Sequence, residues 1–314
     1  MKTGQSQQGR FLAEESAGDV EDLVSVVIPA YRAEPFIRDT VGSVLAQTRT
    51  DFEVVIASDD GVDYARLLLE GGVSDPRVRC VSTGAVGTGA GHARNTGMDA
   101  ARGRVIATLD ADDLLGPTAL EVLVPLALRH GAAYPRARFV DYPTGAELES
   151  FDRPAPSGPM KLEEILTGQI HTYAGIVFDR SRVTARWPEW MDRWEDVYFY
   201  VRCFDDLDSI YHVAEPLYVY HRVPGSICNR PETSDEYLAW AEELAVRLEQ
   251  GDALELANAE SREIFRRFLR SRHVIEAAFA RALAEGAASD FHSFTRLRLD
   301  LFYDLDARSG VEAG

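Results

Sequence analysis

The chain is predicted to be an α/β protein built on a Rossmann-like, mainly parallel central sheet flanked by helices. Runs such as Val24-Ser25-Val26-Val27-Ile28 and Phe52-Glu53-Val54-Val55-Ile56-Ala57 are apolar with little alternation, the pattern of strands covered on both faces. Segments of helical period separate them, as crossovers between parallel strands require. Glycines or carboxylates follow the runs directly, where open sheets bind their ligands.

The first strand stops at Pro29, and Val41, Val44 and Leu45 give Asp39 to Thr48 a helical spacing. The strand Phe52 to Ala57 ends in the polar turn Ser58-Asp59-Asp60-Gly61. A helix follows from Asp63 to Glu70, and Val78 to Ser82 is a short third strand. After Gly84, Gly87, Gly89 and Gly91 comes a helix from His92 to Ala101. The strand Val105-Ile106-Ala107-Thr108-Leu109 then runs straight into Asp110-Ala111-Asp112-Asp113. Pro29-Ala30-Tyr31, Asp59-Asp60, the glycine loop and Asp110 to Asp113 are thereby expected on one rim.

Beyond Leu114 the pattern loosens. Gly116 to His130 is helical, whereas Pro135 to Pro159, rich in Pro and Gly, reads as loop or edge strand. Leu162 to Leu166 starts a helix, the aromatic-acidic cluster Trp187 to Asp196 leads into a helix from Val197 to Phe204, and Leu217 to Tyr220 is a late strand. Ser234 to Glu285 is rich in Ala, Leu, Glu and Arg and helical, with Phe265, Phe268, Leu269, Ile275, Phe279 and Leu283 on its apolar side.

Among 314 residues, 33 are Lys or Arg and 51 are Asp or Glu, a net charge of −18. That balance argues against nucleic acid as a partner, because affinity for a phosphate backbone comes from basic side chains. No apolar run approaches the roughly 18 residues that cross a bilayer. The opening Met1 to Asp22 lacks the basic-then-apolar order of a secretion signal. Cys80, Cys203 and Cys228 are far apart and form no metal pair or disulfide framework, so buried thiols in a reducing cytoplasm are expected.

Asp110, Asp112 and Asp113 are the strongest local signal, since carboxylates crowded at a strand end repel one another unless a cation or donors neutralise them. Oxygen ligands suit Mg²⁺ or Mn²⁺, often completed by substrate phosphates. The plain alternative is an N-cap and a solvated turn. Asp59-Asp60 at a strand end can accept an imide N–H, as in uracil, while Tyr31 either stacks on a base or is an ordinary half-buried aromatic. Gly84 to Gly91 departs from the dinucleotide fingerprint, and no phosphate loop with a lysine is present. Arg94 is a candidate diphosphate contact or a surface ion pair. Glu195-Asp196 lies between Trp194 and Tyr198, and aromatic walls raise a carboxyl's pKa toward that of a general base; an acidic helix start is the alternative.

Taken in order, these strings resemble the inverting family 2 glycosyltransferases with the GT-A fold. The resemblance rests on Val24 to Tyr31, Ser43-Val44-Leu45-Ala46-Gln47-Thr48, Asp51-Phe52-Glu53, Asp59-Asp60-Gly61, Ala93-Arg94-Asn95-Thr96-Gly97, Leu109 to Asp113 and Trp194-Glu195-Asp196. It implies a metal-dependent transfer of a sugar from a nucleotide-sugar donor, a UDP-sugar above others, to an acceptor hydroxyl. Asp60 would bind the nucleobase, with Pro29, Tyr31, Asp59, Arg94 and Ala111 also on the nucleotide. Asp110 and Asp112 would form the metal and ribose-diphosphate motif, and Asp196, beside Glu195, would be the base. Where the family shows Tyr-Arg-x-His-Pro-Gly-Ser, this chain has Tyr220-His221-Arg222-Val223-Pro224-Gly225-Ser226. Val223 stands in the histidine's place, which leaves His221 or Arg222 as the metal or diphosphate contact.

The expected organisation is a disordered leader over 1–22, a GT-A catalytic domain over 23–230 and a helical C-terminal extension over 231–314. The catalytic domain divides into a nucleotide-binding half over 23–115 and an acceptor half over 116–230. The extension packs on the catalytic domain, pairs two subunits or shapes the acceptor site. The acceptor, whether saccharide, lipid-linked or a small molecule, is not specified, and the chain is expected in the cytoplasm or visiting the inner membrane face. A nucleotide-sugar-binding accessory subunit without turnover is the competing reading, and the intact acidic residues count against it.

Overall fold

A computed structural model of the chain describes residues 23–142, 144–148, 155–169, 173–191, 193–224, 233–288 and 294. The leader expected over 1–22, Cys228 and the Gly225-Ser226 end of the variant motif lie outside the described residues.

In chain order, the first half comprises β1 (Val24–Ala30), α1 (Ile37–Leu45), β2 (Phe52–Ser58), α2 (Tyr64–Glu70), β3 (Val78–Ser82), α3 (Ala90–Ala100) and β4 (Val105–Thr108). The strands pair in parallel in the order β3-β2-β1-β4. Successive residues of a strand point to opposite faces, so both faces need cover. Val24, Val26 and Ile28 enter one buried cluster with Ile37 and Val41 of α1 and Leu68 of α2, while Val27 enters another with Met98 of α3. This double burial explains the nearly continuous apolar runs.

The chain moves outward from β1 through β2 to β3, then crosses back to place β4 on the other flank. Such a reversal opens a crevice beyond the carboxyl ends of the adjoining strands. β1 continues past the stop expected at Pro29, which pairs with Ala57. The partnership with β4 reaches only as far as Val27, so at Pro29 the missing N–H faces a flank where no ladder continues.

The second half runs β5 (Leu114–Leu115), α4 (Ala119–His130), β6 (Ala132–Asp141), β7 (Gly158–Met160), α5 (Leu162–Glu164), β8 (Val177–Asp179), α6 (Glu195–Cys203), β9 (Ile210–Arg222), α7 (Thr233–Glu249) and α8 (Ala259–Ala284). It extends the sheet through β8, β6, β9 and β5, with β8 antiparallel to β4 and β6, and β6 parallel to β9. The segment expected to be loop or edge strand from Pro135 instead begins inside β6, an interior strand. A register shift between Pro135 and Arg136 accommodates the proline within the ladder.

Among the described residues the long helical tail forms two helices, with Asn258 capping α8 by accepting from the Glu260 and Ser261 amides. Leu244 and Ala245 of α7 and Phe265 and Leu269 of α8 share one buried cluster with Trp194, Tyr198 and Phe199 around α6. The tail therefore packs onto the second half of the sheet. Among the described residues, no helix is long and apolar enough to cross a membrane.

Candidate active site

Leu109 leaves the sheet by donating its N–H to the Val27 carbonyl at 3.1 Å, and the chain turns sharply, with the Asp113 amide donating to the Asp110 carbonyl at 3.1 Å. Two other elements, α1 and β9, fasten this acidic turn. The α1 hydroxyl of Thr40 donates to the Ala111 carbonyl at 2.7 Å. From β9, the Tyr218 hydroxyl donates to Asp113 Oδ2 at 2.7 Å and the His221 amide donates to Asp113 Oδ1 at 2.8 Å. His221 Nδ1 lies 2.6 Å from the Asp112 carbonyl oxygen. A carbonyl only accepts, so Nδ1 carries a proton, and in the tautomer protonated there alone Nε2 keeps a lone pair for another partner.

This arrangement divides the aspartates. Asp113 is buried and held by donors from β9; burial, then Asp112 and Asp110, push its carboxyl well above the usual range despite Tyr218 and His221. Burial and then Asp110 push Asp112 up to about 6. Asp110 is paired with Arg94, whose Nη2 donates to Oδ1 at 2.7 Å.

Arg94 sits on α3, which starts after Gly89 at φ 99°, a left-handed backbone that glycine adopts without strain. The helix lies close against β1, where a Cβ at Gly97 would fall 2.4 Å from Val27 Cγ1. The Arg94 side chain is only 4% exposed, lies 4.4 Å from the Trp187 ring centroid and donates from Nη1 to Glu195 Oε1 at 3.3 Å. Burial opposes its charge, but Asp110 and Glu195 outweigh burial and keep the guanidinium protonated. Arg94, read from sequence as a diphosphate contact or a surface ion pair, joins the acidic turn to the start of α6.

Asp196 lies in the first turn of α6, where its Oδ1 accepts the Val197 amide at 2.7 Å. Burial and then Glu195 push its carboxyl up to about 7, against the opposing pull of Arg94. The residue before the acidic pair, Trp194, is buried and has φ 59° and ψ 22°, an uncommon backbone for a bulky side chain.

At the other side of the rim, Asp59 is buried beneath the glycine loop. It accepts the Thr88 amide at 3.0 Å and the Thr83 hydroxyl at 2.9 Å on Oδ1, and the Gly89 amide at 3.0 Å on Oδ2. Asp60 accepts from Ser58 Oγ at 3.1 Å and the Val62 amide at 3.0 Å on one oxygen, and from the Arg32 amide and Tyr64 hydroxyl at 2.6 Å each on the other. Burial works against its ionised form, but these donors outweigh it and lower its pKa. Tyr31 is 47% exposed beside this pair, with the Arg32 guanidinium 5.1 Å from its ring centroid.

Asp110, Ala111, Asp112, His221, Arg94 and Glu195 are thus linked through direct bonds, while Pro29, Tyr31, Asp59 and Asp60 end the neighbouring strands β1 and β2. Arg222 turns to Asp141 instead, at 3.3 Å. Sequence reasoning missed Tyr218 and the structural use of Asp113. The available signal was Tyr218 within the apolar late strand, a polar-tipped aromatic that needs a partner when buried.

An open sheet with this strand reversal and an acidic turn at the end of β4 is a GT-A, Rossmann-like fold. Residues 25–179 match the family model for Glycosyl transferase family 2, which assigns this segment of the chain to that family. It is 32% identical over 212 residues to the uncharacterized protein y4gI of Sinorhizobium fredii (strain NBRC 101917 / NGR234), covering 65% of this chain and 23% of that protein. It is 37% identical over 113 residues to the Escherichia coli UDP-Glc:alpha-D-GlcNAc-diphosphoundecaprenol beta-1,3-glucosyltransferase WfgD, covering 36% of this chain and 44% of the relative. The chain therefore spans less than half the length of either relative. The crystal structure of S. aureus TarS 1-349 in complex with UDP-GlcNAc shares the fold with a TM-score of 0.60 at 17% identity, over 81% of this chain and 72% of that one.

Proposed function

We propose that the chain transfers a sugar from a UDP-sugar to an acceptor hydroxyl with inversion, using Asp196 as general base and a divalent cation, Mn²⁺ or Mg²⁺, at Asp110, Asp112 and His221. The observation that carries this reading is the Arg94 bridge, which joins Asp110 of the acidic turn to Glu195, the neighbour of Asp196. The choice of a UDP-sugar draws on the names of WfgD and of the TarS complex.

The residues fit a hard cation. Asp112 is a carboxyl pushed up to about 6 by burial and by Asp110, a state that a positive ion relieves. A ring nitrogen bonded to a backbone carbonyl, as His221 Nδ1 is to Asp112, fixes the tautomer that leaves Nε2 to ligate. Among the described residues, no group of three or more His, Cys, Asp or Glu side chains forms a ready metal site. A cation bound to a diphosphate commonly takes only one or two carboxylates, the remaining ligands being phosphate oxygens and water. When bound, such an ion supplies positive charge to the departing diphosphate.

The chain's own residues do the rest. Asp196 Oδ1 is occupied by the Val197 amide, so Oδ2 takes the acceptor's proton as the hydroxyl attacks the anomeric carbon opposite the leaving group. Tyr31 offers an exposed ring for the base, and Asp60 accepts from it by sharing an oxygen with its present donors.

Calorimetry with UDP and Mn²⁺, beside UDP release from a panel of UDP-sugars, tests the proposal. Asp196→Asn should keep UDP affinity while turnover falls by about 10²-fold or more, the usual contribution of a positioned base. Full turnover in that variant rejects Asp196, and binding without any turnover in the unaltered chain favours an accessory subunit.

A further inference from the structure

The helix that carries Asp196 is held along its length by the C-terminal helices. At its start, the Trp194 ring stacks on Tyr237 of α7 with centroids 5.2 Å apart, meets Phe268 of α8 edge-on at 5.8 Å, and lies 5.8 Å from the Arg272 guanidinium. The preceding Arg193 is ion-paired with Glu236 of α7, donating from Nε to Oε2 at 2.8 Å. In the middle of α6, the Tyr198 hydroxyl donates to the Leu254 carbonyl in the α7–α8 link. At its end, Asn258 Nδ2 donates to the Phe204 carbonyl at 3.1 Å and the Asn258 amide to Asp205 Oδ1 at 2.8 Å.

The first of these attachments bears on chemistry. A left-handed backbone at a non-glycine residue is strained and persists only where its surroundings enforce it. Trp194 is such a residue, and its φ and ψ set the direction in which α6, with Asp196 in its first turn, leaves the preceding loop. Its ring is buried between two elements that the family model, ending at residue 179, does not reach. Side chains that lock a strained residue directly before an acidic pair control where the carboxyl sits, and a displacement of about 1 Å at a reacting group costs about 10²-fold in rate.

We infer that the α7–α8 pair acts as a positioning clamp for the reaction: Tyr237 and Phe268 fix Trp194 in its left-handed conformation and thereby hold Asp196 against the acceptor hydroxyl. The clamp rests on the proposed role of Asp196 for its catalytic consequence, but its physical content, the ordering of the α6 start, does not.

Two measurements separate these parts. The first is hydrogen–deuterium exchange of the α6 amides in Tyr237→Ala and Phe268→Ala. The Tyr198 amide, which donates to the Trp194 carbonyl at 2.8 Å, and the Val197 amide on Asp196 should both exchange at least about 10-fold faster if the clamp orders this turn. Unchanged exchange in folded variants overturns the clamp. The second is steady-state UDP release with the best UDP-sugar of the panel and Mn²⁺. Both alanine variants should lose about 10- to 100-fold in kcat with KM for the donor within about 2-fold, because the nucleotide rim is untouched. Tyr237→Phe, which keeps the stacked ring, should return kcat to near the unaltered value. Ile275→Ala, in the separate cluster of Ile275, Phe279 and Phe294 farther along α8, controls for stability and should lower the melting temperature without lowering kcat. An equal loss of kcat in Ile275→Ala, or an undiminished kcat in Phe268→Ala, overturns the proposal. Faster exchange combined with full turnover in Asp196→Asn keeps the clamp and rejects the base.

Discussion

The base proposed for transfer must be ionised to accept a proton, and its pKa is open to a directed change. Burial first and Glu195 second push Asp196 from the ordinary 3.8 up to about 7, so kcat should rise with pH through that region and level off above it. The displacement represents roughly 4 kcal/mol of disfavoured charge, at about 1.4 kcal/mol per pH unit. Glu195→Gln removes the second cause and leaves burial in place. It also removes the negative partner of Arg94 Nη1, so more of the guanidinium's field reaches Asp196. Both effects favour the carboxylate, and the midpoint of the acid limb should fall by about one pH unit. At pH 6 the ionised fraction of the base then rises from about one tenth to about one half, a gain of about 5-fold relative to the plateau. The assay is UDP release at saturating donor and Mn²⁺ across the range from about pH 5.5 to 8.5, so that the limb reports the loaded enzyme. An acid limb that stays in place or moves upward in Glu195→Gln would refute the electrostatic reasoning.

Asp112→Asn should raise the melting temperature of the ligand-free chain at pH 8 while abolishing Mn²⁺-dependent UDP binding. The folded carboxyl titrates at about 6, above its ordinary 3.8, so ionisation works against folding increasingly above pH 4 and fully above 6, on the order of 3 kcal/mol. Glu53 has the opposite sign: burial opposes its charge, but Ser25, the Arg102 amide and the Arg79 and Arg102 guanidiniums override it and lower its pKa from 4.5 to about 2. Its stabilisation is present above pH 4.5 and lost as pH falls toward 2, so Glu53→Gln should cost about 3 kcal/mol at neutral pH, with the gap from the unaltered chain closing in acid, as urea titrations at several pH values will read. Gly97→Ala places a methyl 2.4 Å from Val27 Cγ1 and should cost about 1–3 kcal/mol, part of which Val27→Ala restores in the double variant.

The first half of the fold was legible because each parallel strand is buried on both faces and stands out as an apolar run. β1 to β4 fall within two residues of where the runs end. The second half was not, since its strands depend on distant partners. β8 is only three residues long, Val177–Asp179, and gains its ladder from β4 and β6. β6 contains Pro135, a residue that argues against an interior strand unless a bulge excuses it, and the bulge depends on pairing with β9 from residues far along the chain. Composition also concealed the break in the C-terminal helix, because Ala253 to Leu256 reads as helix-forming while Leu254 and Glu255 adopt left-handed backbone at φ 47° and 61°.

At the candidate site, residue types were readable and their divisions of labour were not. Asp110, Asp112 and Asp113 look equivalent in sequence, yet Asp113 is held by Tyr218 and His221 from β9, Asp110 by Arg94 from α3, and Asp112 accepts a ring N–H on its backbone carbonyl. Those partners lie up to 109 positions away, beyond any local pattern. Arg94 shows the consequence. In the ligand-free chain its guanidinium pairs with Asp110 and Glu195, and it is a buried cation whose field also reaches Asp112 and Asp196. A nucleotide diphosphate entering beside four carboxyls and one neutralised arginine meets net repulsion. Burial first, and then the neighbouring carboxylates Asp110 and Glu195, raise the pKa values of Asp112 and Asp196, and a bound cation would relieve both causes. On this reasoning UDP and Mn²⁺ bind together or hardly at all: calorimetry should find the affinity for UDP rising at least about 10-fold with saturating Mn²⁺, and Mn²⁺ affinity rising by the same factor with UDP, as linkage demands. Tight UDP binding in the presence of a chelator would show that the pocket already holds the charge it needs, and the proposed cation would then have no electrostatic work to do.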